Sequence, residues 1–146
     1  MKIQRSIEAG ASPQKVWPLL VQPGEILKWF TLLESFNYTS GPPYGPGSTF
    51  HYDERSGGRL MKCDYRVTDW LENQRFAFTL VSGPMPKDDQ VWRIEALPVG
   101  SRVTLEEDLL LPGGAFGRML LALGVGRAIG KHLEEMLIDL KRLAEA

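Results

Sequence analysis

Soft-ligand chemistry is the scarcest feature of this sequence: one cysteine, Cys63, and two histidines, His51 and His132, in 146 residues. A lone thiol forms no internal disulfide, and so few Cys and His ligands nearly exclude a structural zinc site, so no metal and no cofactor are expected. Charge of one sign is lacking too: 17 Lys and Arg stand against 18 Asp and Glu, a formal net charge of −1. Without a basic block there is no electrostatic footprint for nucleic acid or an anionic membrane. Long hydrophobic runs are also missing. The most apolar stretch, 119–125 (MLLALGV), falls far short of the roughly 20 residues that span a bilayer, and the opening residues MKIQRSIEAG lack the apolar core of a signal peptide. The expectation is a single domain over 1–146, cytoplasmic, with no transmembrane segment.

What is present is a clear change of period. Residues 2–9 alternate around Ile3 and Ile7 as a first strand. Ser12-Pro13 reads as a helix start, because a serine caps free N–H groups and proline lacks only an N–H that would be orphaned there. That helix runs through Val16, Leu19 and Leu20 to Pro23-Gly24, and a second, Glu25–Phe30, follows. Strands are then expected at 32–39, 48–54, 59–70, from Phe76 to Leu80, at 90–97 and at 102–110, with Gly57-Gly58, Asn73 and Gly100-Ser101 as turns. Each has one apolar face and one wet face, as half-buried antiparallel strands do. From Phe116 onward Met119, Leu123, Gly126, Gly130, Leu133, Leu137, Leu140 and Ala144 recur at helical spacing, the stripe of one long helix.

The fold class is therefore α+β: a curved antiparallel sheet of about seven strands wrapped on a long C-terminal helix, with two short helices after the first strand. A helix cannot touch a strongly curved sheet everywhere, so a cavity is expected between them. Ala11-Ser-Pro-Gln-Lys-Val-Trp17, followed by Pro23 and Trp29, resembles the opening of the START-like, birch-pollen-allergen-like (SRPBCC) helix-grip superfamily. Asp53-Glu-Arg-Ser-Gly-Gly58 with Met61 resembles the D-x-R-x-G-G hairpin of its heat-shock-ATPase-activator branch, although that branch's tryptophan-containing ending is absent. The proline and glycines at 112–114 and the helix ending Leu140-Lys-Arg-Leu143 are similar to its polyketide cyclase/dehydratase-like members. The resemblance covers essentially the whole chain. It implies binding of a small hydrophobic or amphipathic molecule, lipid- or polyketide-like. The alternatives are a cyclase/dehydratase-type enzyme and a chaperone-associated stress protein, and a homodimer stays open.

The residues offer no ready-made catalytic motif. Gly124-Val-Gly-Arg-Ala-Ile-Gly130 has the wrong spacing for a dinucleotide loop and no strand before it, and Gly130-Lys131 lacks the rest of a P-loop. His51 and Asp53 share a face opposite Phe50 and Tyr52, with no nucleophile beside them, so they read as a solvated outer pair. His132 lies next to the helical stripe among Lys131, Glu135 and Asp139, a partly exposed position. Glu107 continues the Val103, Leu105, Leu109 face, and Glu34 interrupts the Leu32, Phe36, Tyr38 face. Each is either a cavity carboxyl with a raised pKa or a residue turned outward by a bulge. The candidate acid–base residues are Glu107, Glu34 and Tyr65. The candidate ligand-binding residues are Trp29, Tyr38, Tyr65, Phe78, Trp92, Glu107, Met119, Leu123 and Gly126. Gly126 and Gly130 either leave room for a ligand or admit close approach of helix to sheet, with a kink near Gly124 as a third reading.

Overall fold

The computed structural model describes residues 1–146, and its elements follow the expected order. Strand β1 (Lys2–Ala9) leads to helices α1 (Pro13–Val21) and α2 (Pro23–Trp29). Six strands follow: β2 (Leu33–Tyr38), β3 (Thr49–Ser56), β4 (Arg59–Leu71), β5 (Arg75–Ser82), β6 (Lys87–Ala96) and β7 (Ser101–Leu110). They form one antiparallel sheet in the order β1-β7-β6-β5-β4-β3-β2. The chain closes with α3 (Ala115–Leu120), a π-helical turn (Leu121–Val125) and α4 (Gly126–Ala144). This is the helix-grip arrangement, and no helix in it is long and apolar enough to cross a membrane.

Local chemistry accounts for the boundaries. Ser12 caps α1 by accepting the Lys15 N–H at 3.3 Å, with Pro13 in the first turn. Pro23 opens α2 where the sequence suggested only a stop for α1. Ser56 pairs with Arg59 across Gly57-Gly58, both at positive φ, so the β3–β4 hairpin closes in the two-residue turn that glycine favours.

The C-terminal helix departs from expectation. Gly124 sits at φ 126°, ψ −17°, outside helical geometry, and the π turn around it rotates everything upstream. From Gly126 on, the expected stripe is buried: Gly130, Leu133, Leu137, Leu140 and Ala144, with Met136 added. Upstream it fails, because Met119 and Leu123 are 47% and 76% exposed. α4 packs along β1 and against α1 and α2. Its glycines admit this approach. A side chain at Gly126 would strike the Leu121 carbonyl and the Met1 side chain, and one at Gly130 would meet the Arg5 guanidinium.

The core is a continuous cluster of 28 buried residues between the concave face and the helices, rich in stacked aromatics such as Phe50 against Tyr65 and Phe36. Burying a large apolar side chain of this kind stabilises by about 1.5–3 kcal/mol. The apolar character of the concave face does not extend to both ends of the sheet.

Candidate functional site

Reading each strand at period two shows where that character changes. On β6 the inward residues run Ile94, Trp92, Gln90, Asp88, and on β7 they run Val103, Leu105, Glu107, Leu109. On β3 they run Phe50, Tyr52, Glu54. Because the strands are antiparallel, with Gln90 opposite Glu107 and Glu54 opposite Met61, the polar members converge at one end of the sheet. There the sheet, the β3–β4 hairpin, the β5–β6 loop and α4 enclose a cavity of about 510 Å³. That volume lies within the range of small-molecule sites. Its walls are mostly apolar, with Phe30, Met61, Leu109, Ile129, Leu133 and Met136 prominent, and its polar lining includes Glu54, Asp88, Gln90, Glu107 and His132.

The polar groups form a directed network. The Tyr65 hydroxyl donates to Asp88 Oδ2 at 2.6 Å, so its 2.8 Å contact with Tyr52 must be filled by the Tyr52 proton. Trp92 Nε1 donates to Gln90 Oε1 at 3.2 Å, which fixes the amide and turns Nε2 toward the carboxyls. That Nε2 donates to Glu107 Oε2 at 2.9 Å and to Asp88 Oδ2 at 3.3 Å. All six residues are at least nine-tenths buried. Two atoms on the cavity lining are left over: Asp88 Oδ1 and His132 Nε2 are buried with no hydrogen-bond partner.

Burial governs the electrostatics. Desolvation, then the neighbouring Asp88, push the Glu107 carboxyl well above the usual carboxylate range, which favours its neutral form. Desolvation and Asp88 push Glu54 up to about 7. Burial raises both tyrosines well above their ordinary value and lowers His132, which keeps its imidazole neutral. Burial also pushes the Cys63 thiol up to about 12, which leaves it an inert core group.

The sequence-derived candidates divide. Glu107 lines the cavity, and Tyr65 touches it through Tyr52 and Asp88. Trp29, Phe78 and Trp92 lie one layer deeper, around an adjoining void of about 30 Å³ that shares Phe30, Tyr52 and Gln90 with the larger one. Five placements are corrected. Glu34 points outward, because a bulge between Leu33 and Ser35 turns it to solvent, where it pairs with Arg55 at 2.6 Å. Tyr38 is spent elsewhere: its hydroxyl donates to the Val21 carbonyl at 2.6 Å and its ring stacks on Tyr44. Met119 and Leu123 face solvent across the π turn, and Gly126 faces Met1. As its alternation implied, His51 lies on the outer face, held between Asp53 and Asp64 at 2.8 Å each.

The residues that sequence reasoning missed are Asp88, Gln90, Tyr52, Glu54 and His132. A signal existed for all but the last: extending β6 two residues toward its start, and β3 by period two, places them on the inward face. The Asp53–Gly58 hairpin is also part of this site, since Glu54 and Ser56 lie on its cavity side together with Arg59 and Met61.

The family described as polyketide cyclase/dehydrase and lipid transport matches residues 1–145. A START superfamily protein from Mycobacterium smegmatis superposes with a TM-score of 0.82 at 18% identity, covering 99% of this chain and 97% of that one. The Zhui aromatase/cyclase from Streptomyces sp. R1128 superposes with a TM-score of 0.75 at 15% identity, covering 100% of this chain and 96% of that one. At such identities the likeness is one of fold. Uncharacterized proteins of Mycobacterium tuberculosis and Mycobacterium bovis are 25% identical over 107 residues, which take in 69% of this chain and 60% of their own length.

Proposed function

This chain belongs to the polyketide cyclase/dehydrase and lipid transport family, and on that premise we propose that it binds a small amphipathic molecule, lipid- or polyketide-like, between its sheet and α4. The observation that carries the reading is the pairing of an apolar-walled cavity of about 510 Å³ with a buried carboxyl cluster at one end. Apolar walls supply affinity in proportion to the surface they cover, and a few convergent polar groups set orientation. The free Asp88 Oδ1 and His132 Nε2 mark where a ligand would complete the hydrogen bonding.

The test is native mass spectrometry of protein purified from its own host, paired with thermal shift against a panel of apolar aromatics and lipids. A retained ligand, or a stabilisation that Ile129→Trp removes by filling the cavity, is the expected result. No retained ligand and no shift across the panel would count against the reading.

A second reading, an acid–base enzyme, is supported by one specific observation: Glu107 is buried on the cavity wall with a fixed partner in Gln90, and burial favours its neutral form. A neutral carboxyl can give a proton to a ligand oxygen, and Glu54, poised at about 7, can take one. On this reading Glu107→Gln abolishes turnover of a cyclisable or dehydratable substrate without loss of fold, and an unchanged rate removes Glu107 from the mechanism.

A further inference from the structure

The polar end of the cavity has an unusual charge balance. Carboxylates at the surface meet cations: Glu34 meets Arg55, Asp108 meets Lys87, and Glu106 meets Arg93. Glu54, Asp88 and Glu107 line the cavity together and none of them forms an ion pair, the one Lys or Arg on the lining being Arg59, exposed on the β3–β4 hairpin. Asp88 is 2% exposed. Its Oδ2 takes donors from Tyr65 and Gln90 while its Oδ1, also buried, takes none. A carboxylate buried here has no cation beside it, an arrangement that is costly unless something positive completes it.

We propose that this end of the cavity takes a cationic amine head, a protonated primary amine on an apolar body, with Asp88 Oδ1 as its principal acceptor. The assignment rests on the cavity being a ligand site. An ammonium carries three donors and no acceptor, which suits a wall of carboxyl oxygens and one neutral imidazole. A carboxylate or phosphate head would instead face like charges with no arginine or lysine in the buried part of the cavity. A neutral hydroxyl supplies one donor and leaves the charge uncompensated. The apolar body lies along Leu109, Ile129, Leu133 and Met136.

Calorimetric titration of the intact protein with three ligands sharing one body tests this: 2-(2-naphthyl)ethylamine, 2-(2-naphthyl)ethanol and 2-naphthylacetate. The amine is expected to bind about tenfold or more tightly than either partner, as charge-assisted hydrogen bonds exceed neutral ones. Asp88→Asn is expected to level amine with alcohol, while retained alcohol binding shows that the pocket in the variant is intact. Should that variant fail to fold, Glu107→Gln serves in its place and reduces the preference. An alcohol that equals the amine, or an acetate that surpasses it, overturns the amine assignment and leaves the cavity reading standing. No binding by any of the three overturns both.

Discussion

Gln90 sits directly across the β6–β7 ladder from Glu107, and its amide, oriented by Trp92, donates to that carboxyl at 2.9 Å. This one contact joins the aromatic core to the polar end of the cavity. It also keeps Glu107, whose pKa burial raises, in a fixed direction.

The Tyr52→Tyr65→Asp88 relay makes the two hydroxyls unequal. Removing the Tyr65 hydroxyl leaves both the Tyr52 proton and Asp88 Oδ2 short of a partner. Tyr65→Phe is expected to cost about 1–3 kcal/mol and Tyr52→Phe distinctly less. Urea unfolding of the two variants side by side checks the order, and equal costs would contradict the relay.

Glu54 ties stability to pH. Its folded pKa of about 7 stands above its unfolded value near 4.5, so the folded state holds the proton more tightly and loses stability as pH rises through that window. Glu54→Gln, which stays neutral, is expected to raise Tm at pH 8.5 relative to wild type and to leave it nearly unchanged at pH 4. A gain of the same size at both would show that the effect is not ionisation.

His51 runs the other way. Hydrogen bonds that its ring N–H groups donate to Asp64 and Asp53 raise its pKa, so its contribution is full below the ordinary value of 6.5 and fades as pH climbs through the raised one. His51→Gln is expected to destabilise at pH 5.5 and to converge on wild type at pH 9 in thermal melts.

Gly124 offers a test against ordinary helix propensity. In a regular helix Gly→Ala would stabilise by up to about 1 kcal/mol. At φ 126° an alanine is strained, so Gly124→Ala is expected to destabilise by about 1–3 kcal/mol.

The fold was legible because strand and helix periods are written in apolar residues, and each strand was found within a few positions. The site was legible only where a polar residue broke an apolar run, as Glu107 does between Leu105 and Leu109. Asp88 fell outside the strand expected at 90–97, because the polar run Lys87-Asp-Asp89 carries no apolar residue to mark it as the start of β6. Glu34 broke a run too, yet a bulge turned it outward, and bulges leave no mark in alternation. Met119 and Leu123 were misplaced because a stripe was continued through Gly124, where the π turn resets the helical face. His132, one step off the stripe, reaches the cavity because the helix there crosses open space rather than packed sheet.

The five methionines provide the most direct test of ligand binding in this cavity, because Met61, Met85 and Met136 line it while Met119 is exposed beyond the π turn. The measurement is a methyl-resolved NMR titration of methionine-labelled protein with 2-(2-naphthyl)ethylamine. The account expects the Met61, Met85 and Met136 signals to move together and saturate while Met119 stays still. Movement of Met119 alone, or of no methionine at all, would contradict it.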